Sequence, residues 1–94
     1  MPTPDELRRL RFRFLATVFD ACEGDSFKDT SEAEIVDALG MTRDAADPIA
    51  QYLVNEGLLT WPHFGAIAVT HAGVKAVERA RTEPPRTSDG RTLG

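Results

Sequence analysis

The sequence predicts a small α+β domain, mainly helical, over residues 4–82, with a three-helix core, a two-stranded hairpin and a C-terminal helix. Three observations lead to this fold class. Capping residues stand before several amphipathic runs, glycines follow two of these runs, and two β-prone stretches flank a short loop. Such residues mark where helices begin and end, and β-prone runs around a short loop form hairpins.

The first helix is predicted to start after Thr3, because Thr3 and Glu6 can form a capping box around Pro4. Nothing in the sequence breaks this helix before about Cys22. Its apolar residues form two adjacent stripes that together span roughly 200° of the circumference. The stripes are Leu7, Leu10, Phe14 and Val18, and Phe12, Leu15, Phe19 and Cys22. So wide an apolar face indicates a helix that is either central to the domain or shared with a partner.

Two further helices, separated by a glycine turn, are predicted next. Ser31 and Glu34 form a second capping box, and the short helix that they begin should end at Gly40. Thr42 then caps a third helix over about residues 43–56. A short capped helix, a glycine turn and a second amphipathic helix make a helix-turn-helix.

Pro48 complicates the third helix. A proline inside a helix removes one hydrogen bond and costs on the order of 3 kcal/mol. Two arrangements are open: the helix kinks at Pro48, or Asp47 caps a shorter helix that begins there. In both arrangements Gly57 ends the helix, and Leu58 packs back on Leu53 as in a Schellman ending.

A hairpin is predicted after the third helix. Residues 58–61 and 66–70 are its β-prone strands, and residues 62–65 form the loop between them. Residues 27–30 are a further candidate for a short extended segment, earlier in the chain.

The last helix is predicted to be capped by Thr70. Its inward-facing residues would be Val74, Val77 and Ala80. Residues 83–94 are rich in proline, glycine and polar residues, a composition that predicts a flexible tail or linker.

Charge is distributed unevenly along the chain, whose net charge is −4 and whose pI is near 5.0. Residues 1–14 carry +2, residues 20–56 carry −8 and residues 57–94 carry +2. Domains that bind nucleic acid strongly are often basic, with a pI above ~9. The overall charge therefore argues mildly against nucleic acid as a partner, and the acidic middle of the chain argues more firmly.

Composition also limits the classes of function. The single cysteine, Cys22, leaves no internal disulfide and no multi-cysteine metal site. No apolar stretch is long enough for a membrane span or a secretion signal. His63 and His71 lack the neighbours of a catalytic triad, and Asp44 and Asp47 are expected to be solvated carboxylates rather than metal ligands. We expect a cytoplasmic protein that is not an enzyme and needs no cofactor.

Two motifs resemble junctions of a known family. Residues 55–59, NEGLL, resemble the EGLI or GLL junction at which the recognition helix of a winged helix-turn-helix domain passes into the wing. Residues 69–73, VTHAG, resemble the LTxxG motif that closes the wing in bacterial MarR-like and PadR-like regulators. The resemblance covers about residues 6–81, and the order of the predicted elements agrees with it.

The resemblance implies a DNA-binding transcription regulator, usually a dimer. Residues 42–57 would lie in a major groove, and the wing, about residues 61–66, would lie along the DNA backbone or minor groove. The residues expected to contact DNA are Arg43, Gln51 and Asn55 at the bases, and Tyr52 and His63 at the backbone.

The contact surfaces depart from the family pattern in their charge. Residues 42–57 contain one base, Arg43, against three acids, and the predicted wing contains no Arg or Lys. Affinity for DNA comes largely from neutralising phosphates. The alternative to DNA binding is therefore an acidic module that binds a protein or a second copy of itself, through the first helix and the wing. Its contact residues would be Leu7, Phe12, Leu15, Phe19, Trp61 and Phe64.

Overall fold

Four helices and three short strands make up the fold in the computed structural model, which describes residues 3–82. In chain order they are α1 (Pro4–Ala21), β1 (Thr30–Ser31), α2 (Glu32–Ala38), α3 (Arg43–Asn55), β2 (Leu59–Thr60), β3 (Ala66–Val69) and α4 (His71–Thr82). The prediction of a mainly helical α+β domain is confirmed. The tail predicted for residues 83–94 lies outside the described residues.

Side-chain caps start α1, α2 and α3 where the sequence predicts them. Thr3 and Glu6 form the full capping box: the Glu6 N–H donates to Thr3 Oγ1 at 3.2 Å, and the Thr3 N–H donates to Glu6 Oε1 at 2.8 Å. Ser31 accepts from the Glu34 N–H at a longer 3.4 Å, but the Glu34 side chain does not accept from the Ser31 N–H, so the predicted second capping box is only half formed. Thr42 accepts from a backbone N–H at 3.1 Å. Each such cap contributes roughly 1 kcal/mol, so local sequence fixes these three starts.

Glycine turns end α2 and α3 in the same way. The Met41 N–H donates to the Val36 carbonyl at 3.1 Å, and the Leu58 N–H donates to the Leu53 carbonyl at 2.9 Å. These are the long hydrogen bonds of a Schellman ending, in which the residue after the glycine turns back onto the last helical turn. The predicted ends of both helices are confirmed.

Helix α3 runs without interruption through Pro48. The alternative in which Asp47 caps a shorter helix is therefore wrong, because Thr42 already caps the helix before Arg43. A proline removes one backbone donor from the helix, and the cap at one end and the Schellman ending at the other hold the remaining turns in place.

The three strands form one antiparallel sheet in the order β1-β3-β2. The predicted hairpin is present, with Leu59 opposite Val69. The first strand lies at the end of the segment 27–30 that was expected to be extended, and it adds to the other side of β3. The Glu32 N–H then donates to the Gly65 carbonyl at 3.0 Å. The start of α2 is therefore tied to the hairpin loop.

The core is built around α1, which packs against α3, α4 and β3. Phe14 and Val18 are fully buried, and Leu15 is only 3% exposed. Leu15, predicted as a partner contact, is thus a core residue, because elements of the same chain cover that side of α1. The other core residues are Cys22, Ile35, Val36, Ala46, Ile49, Ala50, Leu53, Leu59, Ile67, Val69 and Val77.

Helix α4 carries one correction to the predicted inward face. Val77 is buried and Val74 is partly buried, whereas Ala80 is exposed near the end of α4, where the contact with α1 is polar. There the Arg81 guanidinium donates to both carboxylate oxygens of Asp20, at 2.9 and 3.1 Å. These hydrogen bonds hold the pKa of Asp20 below its ordinary value and fasten the ends of the two helices together.

The start of α4 passes very close to the turn between α3 and β2. Thr70 Oγ1 donates to the Gly57 carbonyl at 2.6 Å and accepts from the Gly73 N–H at 3.0 Å, so Thr70 caps α4 as predicted. A Cβ on Gly73 would overlap the Leu58 carbonyl oxygen and lie 2.6 Å from Val69 Cγ2. The two motifs that carry the family resemblance therefore touch each other at a point where only glycine fits.

We expect Gly73→Ala to lower the free energy of unfolding by about 1–3 kcal/mol. Alanine favours a helix over glycine by roughly 1 kcal/mol, but its methyl group would push α4 away from the Leu58 carbonyl. Urea unfolding followed by circular dichroism measures the change. Lys75→Ala, at an exposed position of the same helix, should stay within about 0.5 kcal/mol of the wild type. A Gly73→Ala protein as stable as the wild type would contradict the close approach.

Candidate functional site

A cleft of about 460 Å³ lies between the hairpin loop, residues 61–65, and the starts of α2 and α3. Its lining is formed by Glu32, Arg43, Trp61, His63, Phe64 and Gly65. The loop reverses at Gly65, whose φ of +80° is a conformation that favours glycine. The cleft therefore exists because the loop folds back against the cap of α2.

The outer face of α3 carries the three residues predicted to read DNA bases. Arg43 Nε lies 3.6 Å from Asp47 Oδ1, and Gln51 Nε2 donates a hydrogen bond to Asn55 Oδ1 at 3.0 Å. Residues four apart lie one above the other on a helix. Each predicted base reader therefore already has a partner within α3.

Tyr52, predicted to touch a DNA backbone, stacks against α1. The guanidinium carbon of Arg11 lies 3.7 Å from the centre of the Tyr52 ring. Arg11 Nε is buried and has no hydrogen-bond partner among the described residues, so the ring is a principal contact of this cation. A cation over an aromatic face is worth about 0.5–2 kcal/mol, depending on its exposure to water. Tyr52 thus has a structural role in joining α3 to α1.

His63, the other predicted backbone contact, lies in the hairpin loop beside an acid. Its Nε2 atom is 3.5 Å from Asp29 Oδ2, a contact that becomes an ion pair only when His63 is protonated. The structure therefore brings His63 and Arg43 to the same cleft, while Gln51, Tyr52 and Asn55 do not line it.

Glu32 and Arg43 are residues of opposite charge that both line the cleft. Glu32 is only 6% exposed, and its Oε1 atom lies 3.9 Å from Arg43 Nη2. Asp47 contacts the same arginine, and Asp29 contacts His63. Asp47 and Asp29 do not line the cleft themselves, but each lies against a basic side chain that does, so both Arg43 and His63 already face a carboxylate.

The position of Glu32 in the cleft is not predictable from the sequence. A glutamate directly after a helix cap is ordinary, because negative charge is favourable in the first turn of a helix. Its burial depends on the loop, which returns to it from more than thirty residues further along the chain and places Gly65 against its backbone. Only the tertiary structure brings these residues together.

Two exposed aromatic rings stand on the hairpin loop. Phe64 is fully exposed, and Trp61 is 39% exposed while lining the cleft. Single exposed apolar residues are common, and Phe27, in the turn before β1, is almost fully exposed as well. Two rings on one loop beside a cleft are instead typical of the anchors of protein interfaces.

The outer surface of α1 combines an exposed ring with basic residues. Its shallow apolar groove is lined by Arg8, Arg9, Phe12 and Arg13. Phe12 is 38% exposed, whereas Leu7 and Phe19 are partly buried. In a two-fold dimer the same patch of both copies meets. A seam centred on Phe12 would therefore bring arginines of both copies together, and their repulsion opposes the homodimer that the sequence suggests.

Within residues 3–82, no helix combines the length and the apolar character that a bilayer crossing requires. In the same part of the chain, no three His, Cys, Asp or Glu side chains come together as a metal site would need. Comparisons of the chain with protein-family models, curated proteins and solved structures found no match. Its function is therefore inferred from its own residues.

We expect Tyr52→Ala to lower the free energy of unfolding by about 1–2 kcal/mol, because it removes the ring that faces the Arg11 guanidinium. Tyr52→Phe keeps the ring and should change the stability by less than about 0.5 kcal/mol. Urea unfolding of the two variants and the wild type measures both effects. Equal losses for the two variants would show that the hydroxyl, and not the ring, is the stabilising group.

Proposed function

We propose that the chain is a winged helix-turn-helix module that binds a protein partner through the cleft and the hairpin loop. In this proposal α2 and α3 form the helix-turn-helix, and the β2–β3 hairpin is the wing. The order of the elements and the two resembling motifs support this assignment. The observation that carries the choice of partner is the loop, which presents Trp61 and Phe64 and contains no Lys or Arg.

Duplex DNA is the second candidate partner. The family resemblance supports it, as does the exposure of Arg43, Gln51 and Asn55 on the outer face of α3. Base readout would require these side chains to leave their present partners, and Asp44 and Asp47 would approach the phosphates. Phosphate neutralisation supplies much of the affinity for DNA, and the loop offers no Arg or Lys for it. The charges near the cleft therefore favour protein over DNA.

The remaining attributes follow from the same proposal. The module has no enzymatic role, needs no cofactor and acts in the cytoplasm of a bacterial cell. A second copy docked through α1 is a less favoured partner, because Arg8, Arg9 and Arg13 surround Phe12 on that surface. A partner surface that meets the cleft has no such repulsion to overcome.

A titration of the protein into fluorescently labelled duplex DNA of mixed sequence tests the choice between partners. We expect no rise in anisotropy at about 50 mM salt with tens of micromolar protein. Even sequence-specific regulators bind non-specific DNA under such conditions, so a protein that binds DNA would give a rise. A rise that disappears at about 200 mM salt would overturn the proposal in favour of DNA. Arg43→Gln then shows whether α3 makes the contact.

A matched pair of substitutions tests the interaction surface. Phe64→Ala and Phe27→Ala each remove an exposed ring from a loop, and only Phe64 belongs to the cleft. We expect proteins cross-linked to the wild type in its source cells to be retained by Phe27→Ala and reduced about tenfold or more by Phe64→Ala. Quantitative mass spectrometry measures the ratio. Equal recovery with both variants would contradict the assigned surface.

A further inference from the structure

We infer that the cleft takes a basic side chain, lysine or arginine, of the protein partner. This inference rests on the proposed function and names the chemistry that the partner presents. Glu32 would supply the opposite charge, and Trp61 and Phe64 would supply aromatic walls. The contact would be a charged anchor set inside an aromatic rim.

Glu32 lies in the cleft with a long ion pair to Arg43. Its side chain is only 8% exposed and lines the cleft, and Arg43 Nη2, its one ion-pair partner among the described residues, lies 3.9 Å away. That distance is beyond the range of a hydrogen bond. Among the described residues, Arg11 Nε is the one fully buried side-chain polar atom without a hydrogen-bond partner, so the Glu32 carboxylate remains accessible from the cleft. A cation that enters the cleft would therefore meet a carboxylate whose own ion pair is long.

The charges of Glu32 and Arg43 also bear on which ligand the cleft would bind. Arg43 lies 3.9 Å from Glu32 and 3.6 Å from Asp47, so its charge is shared between two carboxylates. The Arg43 side chain is 56% exposed and can remain with Asp47 when a second cation approaches Glu32. An incoming cation would be attracted to Glu32, whereas an incoming carboxylate would be repelled by it.

Trp61 and Phe64 give the cleft aromatic surface beside Glu32. Cations are attracted to the faces of aromatic rings, and tryptophan is the most favourable of them. The long aliphatic stems of lysine and arginine also pack well on apolar surface. Trp61 and Phe64 line the same cleft as Glu32, so the charged end and the stem of one side chain would both find a matching surface.

Four short peptides test the inference. They share the sequence acetyl-Ser-Gly-X-Gly-Ser-amide, with arginine, lysine, norleucine or glutamate at X. We expect saturable changes in Trp61 fluorescence and in the backbone amide signals of Glu32 and Gly65 with the two basic peptides, at millimolar concentrations. Trp61 is the only tryptophan of the chain, so its emission reports this site alone. Equal responses to the norleucine peptide, or a stronger response to the glutamate peptide, would overturn the inference.

Two matched variants identify the charge that matters. Glu32→Gln should weaken binding of the arginine peptide about tenfold or more, while Glu34→Gln, exposed on the same helix, should change it less than about twofold. The amide spectrum of each variant reports whether it is folded. Unchanged binding by folded Glu32→Gln would contradict the assigned role.

Arg43→Gln gives a test with the opposite sign and does not depend on Glu32 being replaceable. Removal of the resident arginine should strengthen binding of the basic peptides, by about threefold, because it removes a like charge from the cleft. Weaker or unchanged binding would overturn the inference. An anion site would instead lose its glutamate peptide in this variant.

The peptide and cross-linking experiments can reject the inference and the proposed function independently of each other. If Phe64→Ala loses the partner proteins and no basic peptide binds, the proposed function stands and the basic side chain is wrong. If Phe64→Ala and Phe27→Ala recover the same proteins, the proposed function fails, and peptide binding then describes a cleft that the partners do not use.

Discussion

The close approach of the Gly73 backbone to the Leu58 carbonyl is the constraint on which the other elements depend. Leu58 directly precedes β2, and Gly73 lies in the first turn of α4, so one contact sets the end of α3, the start of the hairpin and the direction of α4. Thr70 closes the same junction by bonding to Gly57 and Gly73 together. With the three elements fixed there, α1 packs against α3, α4 and β3 and buries Phe14, Leu15 and Val18.

Features set by a few neighbouring residues were predictable from the sequence. The cap at Thr3, the Schellman endings and the hairpin depend on residues within a few positions of one another, and all are present. Features set by distant residues were not predictable. Periodicity places Leu15 and Phe12 on one stripe, but only the packing of other elements against α1 shows that Leu15 is buried and Phe12 is exposed. Strand β1 is likewise defined by β3, more than thirty residues away.

The candidate site divides in the same way. Residue types and the family resemblance suggest Arg43, Gln51 and Asn55 as base readers, and their spacing of four from one another or from an acid also allows the pairs that the structure contains. Glu32 and the stacking of Arg11 on Tyr52 could not be foreseen, because each joins segments far apart in the chain. A sequence pattern names the exposed side chains of a helix, but it does not say which of them are already engaged.

The two hydrogen bonds around Gly65 also affect the entropy that the loop would lose on binding a partner. The Ala66 N–H donates to the His63 carbonyl at 3.1 Å, and the Gly65 carbonyl accepts from Glu32, so two backbone hydrogen bonds hold the loop in this conformation. A partner that docks on such a loop loses little free energy to freezing its backbone. In the interaction proposed above, binding would therefore order the exposed Phe64 side chain but not the backbone that carries it.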